Sequence, residues 1–256
     1  MAGIDANRFS FELNKSLQYG DPSYWSKRYQ EKASEPFDWY LKWEHLKETV
    51  SQWLTPESNV LVLGCGTSLI AEQMLGEGFA SKITCVDQCE ELVDVLREKY
   101  KDKEALEFKQ EDAGRLPKEL QGKFDLVLDK AVLDTVLCGR QGWAAGESIV
   151  KSAMAALKNE GRYVCVSHAH PAQRLPLLSS CDSQDVKFEV SCHPVQRPLD
   201  PPPDPKAKGA KAAKGAPDLS SLQASADQKD NMYQVYCCQR KGVAQELHAD
   251  LADAEA

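Results

Sequence analysis

A buried strand followed by a glycine turn is the feature that most constrains this chain of 256 residues. Residues 60–63 are a continuous apolar run, which is typical of a parallel strand covered on both faces. The run leads into Gly64-Cys65-Gly66, and glycines let a backbone turn sharply and approach a ligand closely. A second apolar run ends at Asp87, which predicts a carboxylate at the edge of the neighbouring strand. Together these features predict an adenosine site in which the acid accepts hydrogen bonds from the ribose.

The position of the third glycine distinguishes between adenosine cofactors. In the dinucleotide fingerprint that glycine allows close helix packing beneath a pyrophosphate. Here the position is Leu69, and Thr67 and Ser68 before it are typical N-cap residues of a helix. S-adenosylmethionine has a ribose and an adenine but no phosphates, so it needs the turn and the acid without a phosphate cradle. The spacing therefore favours a methyltransferase over a dehydrogenase.

Composition limits the partners and the compartment. A formal charge of −8 argues against direct nucleic-acid binding, for which a basic face is the expected footprint. Nine cysteines without a Cys-x-x-Cys pair are typical of a reducing compartment. No apolar stretch approaches the roughly 18 residues of a membrane span, and the N-terminus has no signal pattern. We therefore expect a cytoplasmic monomer without membrane contact.

The middle of the chain alternates strands with helices, which predicts a doubly wound, mainly parallel sheet. Two later strand-like runs have no such helix between them and predict an antiparallel pair at the edge, which makes seven strands. Residues 19–54 are dense in aromatic side chains and predict an N-terminal helical cap. The predicted strands are 60–64, 82–86, 106–109, 124–128, 162–167, 186–192 and 232–239, and the predicted helices are 67–77, 89–100 and 146–157, the last with a C-cap and turn at 159–161.

Three segments differ from this pattern and set the expected boundaries. Residues 1–18 are polar and aperiodic, so we expect a flexible N-terminal arm. Residues 198–230 are rich in Pro, Lys, Ala and Gly, and such a composition cannot bury enough apolar surface to order the chain. Residues 243–256 form an acidic tail. One domain, residues 19–242, is thus predicted to contain a disordered insertion.

Four motifs carry a resemblance to a known family. They are residues 19–29 (YGDPSYWSKRY), 37–40 (FDWY), 63–68 (LGCGTS) and 128–134 (LDKAVLD). On these motifs the chain resembles the methyltransferase-like lysine methyltransferases that act on translation elongation factor 1-alpha. The resemblance spans about residues 19–240 and implies a class I, Rossmann-like α/β methyltransferase fold. It also implies a protein substrate similar to elongation factor 1-alpha.

The resemblance also implies which residues contact S-adenosylmethionine. The chain departs from the family at Thr67, which replaces Asn, and at Ala131 and Val132, which replace Gly-Thr. An alanine beside the methyl-transfer channel either narrows it or reflects a different backbone angle. The implied cofactor contacts are Trp25, Tyr29, Gly64, Asp87, Gln88, Asp112, Ala113 and Lys130.

Several polar side chains have two interpretations. Asp129 and Asp134 are candidates for catalytic acids that orient a lysine amine, although a helix N-cap or a salt bridge to Lys130 or Arg140 would suit each equally well. Asp112 either accepts a hydrogen bond from adenine or caps its own loop.

Other candidates concern the substrate and metals. Tyr24, Trp39 and Tyr40 could form cation–π walls around a substrate ammonium, or they are packing residues. His168 and His170 lack an acidic or cysteine partner with suitable spacing, so no metal site is expected.

Three functions remain open from the sequence. The first is a protein-lysine N-methyltransferase, which predicts an open groove beside residues 129–140. The second is a small-molecule methyltransferase, which predicts a closed apolar pocket above the methyl group. The third is a scaffold that binds S-adenosylmethionine and transfers no methyl group.

Overall fold

The computed structural model describes residues 18–180, 186–198 and 231–242. The arm expected at 1–18, the insertion expected at 198–230 and the tail expected at 243–256 lie outside the described residues, apart from Gln18 and Pro198. Their expected disorder stays a prediction.

A seven-stranded sheet forms the centre of the molecule, in the order β3-β2-β1-β4-β5-β7-β6. Neighbouring strands from β3 to β5 are parallel, and β7 is antiparallel to both β5 and β6. This arrangement confirms the predicted doubly wound α/β fold with an antiparallel strand towards one edge. The strands are β1 (Asn59–Leu63), β2 (Lys82–Asp87), β3 (Leu106–Gln110), β4 (Phe124–Lys130), β5 (Leu157–Ser167), β6 (Val186–Gln196) and β7 (Met232–Gly242).

Seven helices surround the sheet in the described part of the chain, and three short 3-10 turns accompany them. The helices are α1 (Pro22–Lys32), α2 (Trp43–Ser51), α3 (Ile70–Gly76), α4 (Glu90–Lys99), α5 (Val132–Leu137), α6 (Gly142–Ala156) and α7 (Pro171–Ser179); the 3-10 turns are Gln18–Gly20, Ala113–Arg115 and Lys118–Leu120. None of the described helices is long and apolar enough to cross a membrane.

Alternate residues of the strands point to opposite faces of the sheet and give it two cores. Val60 and Val62 of β1 pack with α2, α3 and α4, whereas Leu61 and Leu63 pack with α6 and α7. Both faces of β1 are therefore buried, as its continuous apolar run predicts. Helices α1 and α2 form the predicted N-terminal cap.

Several predicted boundaries are wrong, and the differences have local causes. Residues 159–161 do not cap α6, because β5 begins at Leu157 and contains a bulge where its register with β4 shifts. Strand β4 extends to Lys130, so that Asp129 lies within the strand. Helix α3 begins at Ile70 without a side-chain cap at Leu69, although the hydroxyl of Ser68 accepts a 3.3 Å hydrogen bond from the Ile70 amide.

Candidate active site

A cavity lies where β1, β2 and β4 reach their carboxyl ends, which is where open α/β sheets bind ligands. It contains about 1060 Å³ of space, its open mouth included. The structure brings together all eight residues that the resemblance assigned to the cofactor: Trp25, Tyr29, Gly64, Asp87, Gln88, Asp112, Ala113 and Lys130. Their contacts with the cofactor stay a prediction.

The glycine turn after β1 forms the floor of the cavity. Gly64 and Gly66 have φ values of 51° and 52°, in the left-handed region that glycine adopts readily. A Cβ at Gly64 would collide with the side chain of Val132, and a Cβ at Gly66 would lie 2.8 Å from the Tyr29 hydroxyl. Both positions therefore require glycine, and the backbone is bare where a ligand would approach it.

Asp87 places a buried carboxylate beside this turn. Its two oxygens accept hydrogen bonds from the Gly66 amide at 3.0 Å and from the Cys89 amide at 3.1 Å. Burial raises the pKa of Asp87, and the amide hydrogen bonds oppose that shift. A carboxylate has about four lone-pair positions, so acceptor capacity remains for ribose hydroxyls.

Asp112 has the capping role, one of the two that the sequence left open. Its carboxylate accepts a 2.8 Å hydrogen bond from the Gly114 amide and so caps the short 3-10 turn that begins at Ala113. The same residue is exposed to solvent and lines the cavity. The cap is therefore present, and an adenine contact stays a prediction.

Aromatic rings from the N-terminal cap form one wall of the cavity. Trp25 stacks on Tyr29 with their ring centroids 6.2 Å apart, and Trp39 packs edge-on against Trp25 at 5.9 Å. Of the three candidate cation–π residues, Trp39 lines the cavity, whereas Tyr24 and Tyr40 do not. Sequence reasoning missed Tyr19 and Phe37, which also line it, although both lie in the two aromatic motifs.

Lys130 is held by the same wall. Its Nζ lies 3.1 Å from Oδ1 of Asp38 and donates a 3.0 Å hydrogen bond to the carbonyl of Trp39. Asp38 also accepts a hydrogen bond from the Ser68 hydroxyl. Burial lowers the pKa of Lys130, and the attraction of Asp38 opposes this. Asp38 is a structural residue that sequence reasoning missed, and it fixes the segment that carries Trp39.

Ala131 is one of the departures from the family pattern. It lines the cavity and has φ 75° and ψ −5°, which is the left-handed conformation. The Gly that the family has at this position adopts that conformation without strain, whereas alanine does so at a cost. Ala131 therefore carries backbone strain beside the cavity, and both explanations of the departure stay predictions.

Asp129 does not line the cavity, and its side chain is fully buried. Its carboxylate accepts hydrogen bonds from the first two amides of α5, those of Val132 at 2.9 Å and Leu133 at 3.2 Å, and from the Tyr163 hydroxyl at 2.9 Å. Burial raises the pKa of Asp129 to about 6. These contacts match the alternative interpretation of Asp129 as a group that caps a helix.

Asp134 also lies outside the lining, within a buried network. Its Oδ1 accepts hydrogen bonds from Ser167 at 2.7 Å and Arg174 at 2.6 Å, and its Oδ2 accepts one from the Tyr40 hydroxyl at 2.9 Å. The His168 ring nitrogen Nδ1 lies 2.7 Å from the same Oδ2. Burial favours a raised pKa for Asp134, but the hydrogen bond and charge of His168 and the charge of Arg174 hold it well below its usual range.

The basic partner of Asp134 in this network is Arg174. The two partners predicted from the sequence were Lys130 and Arg140. The catalytic role of both acids stays untested, and neither carboxylate faces the cavity.

His170 caps α7 by accepting a 3.3 Å hydrogen bond from the Ala172 amide. Within residues 18–180, 186–198 and 231–242, no group of three or more His, Cys, Asp or Glu side chains is arranged to hold a metal ion.

The residues of the cavity fit S-adenosylmethionine. The bare backbone at Gly64 and Gly66 lines the cavity, and Asp87 offers an acceptor to a ribose. Leu69 stands at the N-cap of α3 where a dinucleotide site has its third glycine. These residues therefore suit an adenosine cofactor that has no pyrophosphate.

The chain belongs to the family of methyltransferase domains, whose sequence pattern matches residues 54–236. This match and the fold confirm the predicted class, a class I methyltransferase that depends on S-adenosylmethionine.

Two curated relatives are similar in sequence. The mouse (Mus musculus) protein named EEF1A lysine methyltransferase 4 is 28% identical over 170 residues, which are 63% of this chain and 66% of that protein. The zebrafish (Danio rerio) protein named eEF1A lysine and N-terminal methyltransferase is 29% identical over 153 residues, which are 59% of this chain and 22% of that protein. The chain thus spans less than two thirds of the length of either relative.

Solved structures share the fold. The cyclase SpnF has a TM-score of 0.54 at 13% identity, over 91% of this chain and 97% of that chain. A chain in the complex between the Haloferax volcanii Trm112 methyltransferase activator and a methyltransferase has a TM-score of 0.52 at 13% identity, over 87% and 96%. At these identities the likeness shows the fold alone.

Proposed function

We propose that this protein is an S-adenosylmethionine-dependent protein-lysine N-methyltransferase that acts on translation elongation factor 1-alpha in the cytoplasm. The observation that carries the proposal is the cavity at the carboxyl ends of β1, β2 and β4, in which all eight residues implied by the family resemblance converge. The names of the curated relatives support the substrate. The activity, the substrate and the compartment of the whole protein are parts of the proposal.

The reaction asks little of acid–base side chains. When bound, the cofactor would supply a methyl group carried on a sulfonium. An N–C bond would form to the acceptor nitrogen while the S–C bond breaks, and the electron pair of the broken bond would stay on sulfur. The chain contributes position, which is the largest requirement of such an in-line displacement. Asp87 and the bare backbone at Gly64 and Gly66 hold the adenosine part, and Trp39 excludes water from one side of the acceptor.

Asp129 and Asp134 act as positioning residues in this proposal. The three hydrogen bonds of Asp129 fix the turn from β4 into α5, where Ala131 lines the cavity. The network of Asp134 holds Tyr40, which follows Trp39 in the sequence, and Trp39 belongs to the wall. A lysine amine therefore loses its proton to solvent at the mouth of the cavity and not to either acid.

The test is a methyl-transfer assay with isotopically labelled S-adenosylmethionine, purified chain and cell lysate. We expect a labelled band of the size of elongation factor 1-alpha, with mass spectrometry locating the methyl group on a lysine. Asp87→Ala should abolish the label, because the ribose loses its acceptor. Asp94→Ala is the matched control, since Asp94 is an exposed acid on α4 that pairs with Arg97 and lies away from the cavity.

The other candidate functions have distinct outcomes in the same assay. Label that enters only the low-molecular-mass fraction would contradict the protein substrate and favour a small-molecule methyltransferase. A chain that binds the cofactor and labels nothing would be a scaffold. Label on another protein would retain the enzyme class and exclude elongation factor 1-alpha.

A further inference from the structure

The chain makes a strained turn at Tyr40, directly after a residue of the cavity wall. Tyr40 has a φ of 62°, in the left-handed region that residues with a side chain rarely adopt. The Leu41 amide donates a 2.7 Å hydrogen bond to the Trp39 carbonyl, which closes a three-residue γ-turn with Tyr40 at its centre. The form of this turn with a positive central φ is rare and strained. Trp39 lines the cavity, so the strain lies at the wall.

The residues on either side of Tyr40 are anchored separately. Leu41 is 1% exposed and belongs to the core that contains α2. The Trp39 carbonyl accepts a second hydrogen bond, from Nζ of Lys130 at 3.0 Å. Because Leu41 is fixed in the core, a change of φ at Tyr40 would move the chain on the other side of the turn. The position of Trp39 in the wall therefore depends on the backbone angle of Tyr40.

The hydroxyl of Tyr40 ties the strained residue to the Asp134 network. It donates a 2.9 Å hydrogen bond to Oδ2 of Asp134 and lies 2.9 Å from Nδ1 of His168. Burial, and then the charge of Asp134, raise the pKa of Tyr40 well above its usual value, so the phenol keeps the proton that it donates. The ring packs against Tyr233 with the ring centroids 4.7 Å apart. Strained residues persist where the surrounding contacts over-determine them, and they cluster at functional sites.

We propose that Tyr40 is a positioning residue whose hydroxyl holds the strained turn and thereby keeps Trp39 in the cavity wall. Without the hydrogen bond to Asp134, the turn relaxes towards negative φ and Trp39 leaves its place. Tyr40 itself does not line the cavity, so its effect on methyl transfer passes through Trp39. The effect on methyl transfer rests on the proposed function, whereas the effect on the position of Trp39 does not.

The first test measures the position of Trp39 without any reaction. Tyr40→Phe keeps the ring and removes only the hydroxyl. Acrylamide should quench the tryptophan fluorescence of the full-length Tyr40→Phe chain with a larger Stern–Volmer constant than that of the wild type. The increase should vanish when the same substitution is made in a Trp39→Phe chain, because the other tryptophans keep their surroundings. No increase, or an increase that persists without Trp39, would overturn the proposal.

The second test is a double-mutant cycle in methyl transfer, with labelled S-adenosylmethionine and purified elongation factor 1-alpha as the acceptor. Tyr40→Phe should lower kcat/KM about tenfold, since a misplacement of about 1 Å can cost a hundredfold. In the Trp39→Phe background the same substitution should cause no further loss, because residues that act as one unit are not additive. Losses that multiply in the double variant would show that Tyr40 does not act through Trp39.

Tyr100→Phe is the matched control. It removes a hydroxyl that donates a 2.8 Å hydrogen bond to another carboxylate, that of Glu72, and neither residue lines the cavity. Both variants should lower the melting temperature, and only Tyr40→Phe should change the quenching and kcat/KM. Equal kinetic losses in the two variants would overturn the proposal. A wild-type chain that transfers no methyl group would contradict the proposed function, and the quenching measurement would still decide the role of Tyr40.

Discussion

At the scale of single residues, Ala131 has a backbone conformation that its side chain disfavours. The left-handed conformation at φ 75° costs an L-residue about 1–2 kcal/mol relative to glycine. The turn persists because the Asp129 carboxylate accepts hydrogen bonds from the amides of the two residues after Ala131, which are Val132 and Leu133. The strain lies directly beside the cavity, where a change of backbone angle would alter its shape.

Two substitutions at Ala131 test this strain. Ala131→Gly should leave the free energy of unfolding unchanged or raise it by up to about 1 kcal/mol, because relief of strain offsets the greater entropy of the unfolded chain. Ala131→Val should lower it by more than about 1 kcal/mol, since a β-branched side chain suits this conformation least. Urea denaturation measures both. Destabilisation by glycine equal to that by valine would contradict the assigned strain.

The ion pair between Lys130 and Asp38 should stabilise the fold more than an exposed pair does. The Lys130 side chain is 8% exposed and that of Asp38 11%, so Lys130→Met leaves the buried Asp38 carboxylate without its ionic partner. We expect a loss of about 3 kcal/mol in unfolding free energy. Lys158→Met is the control, because the pair of Lys158 with Asp125 is 46% and 34% exposed and should cost less than about 1 kcal/mol. Similar losses for the two variants would contradict the argument.

Asp129 and Asp134 should affect stability in different pH windows. The pKa of Asp129 is raised to about 6 in the folded state, so the native chain retains this proton more tightly than the unfolded chain. Its contribution to stability is then complete below about pH 4 and declines as the pH rises through about 6. The pKa of Asp134 is lowered, so its contribution is present above about pH 4 and is lost in more acidic solution.

The variant Asp129→Asn isolates the first effect. The melting temperature of the wild type relative to this variant should fall as the pH rises from 4.5 to 7.5, a range in which Asp134 stays ionised in both states. Differential scanning calorimetry at several pH values measures it. Parallel profiles of the two proteins would show that Asp129 has no raised pKa.

At the scale of elements, the contact between the first 3-10 turn and the loop after α5 holds the aromatic wall in place. Gly20 packs against the backbone of Gly139, where a Cβ would collide with main-chain atoms that cannot turn aside. Tyr19 belongs to the same turn, and Trp25 follows in α1. The glycine contact therefore determines how close the cap approaches the cavity.

Gly20→Ala should displace this turn. We expect at least a severalfold weaker affinity for S-adenosylhomocysteine and a lower melting temperature. Gly76→Ala is the matched control, because a Cβ there meets nothing within 4 Å and alanine favours a helix. The control should be neutral or slightly stabilising. Unchanged affinity in Gly20→Ala would show that the cap tolerates the displacement.

Strands and glycine turns were more predictable than helix boundaries. The continuous apolar run of β1 is a direct consequence of burial on both faces, and Asp87 follows from the same pattern at β2. Helix α5 was not predicted because it is six residues long and only Ala131 separates it from β4. The roles of Asp38, Tyr40 and Arg174 depend on contacts between distant segments, such as Arg174 with Asp134 across 40 positions, and no local pattern encodes them.

At the scale of the whole molecule, cofactor binding should stabilise the fold. A ligand at one hundred times its dissociation constant adds about 2.7 kcal/mol if it binds the folded state alone. For a chain of this size that corresponds to a rise of roughly 5–10 °C in melting temperature. Thermal unfolding with and without S-adenosylhomocysteine measures the shift. Asp87→Ala should reduce it and Asp94→Ala should not, whereas a wild type without any shift would contradict the proposed cofactor.

The strand order has a consequence for biosynthesis. Strand β7 lies between β5 and β6, although it is the last of the seven to leave the ribosome. Residues 197–231 separate it from β6, and at about 5–20 residues per second their translation takes roughly 2–7 s. During that time the free edges of β5 and β6 have no β-sheet partner and can pair with other chains. Nascent copies on neighbouring ribosomes are therefore the most vulnerable to aggregation at this stage, and chaperone protection would matter most there.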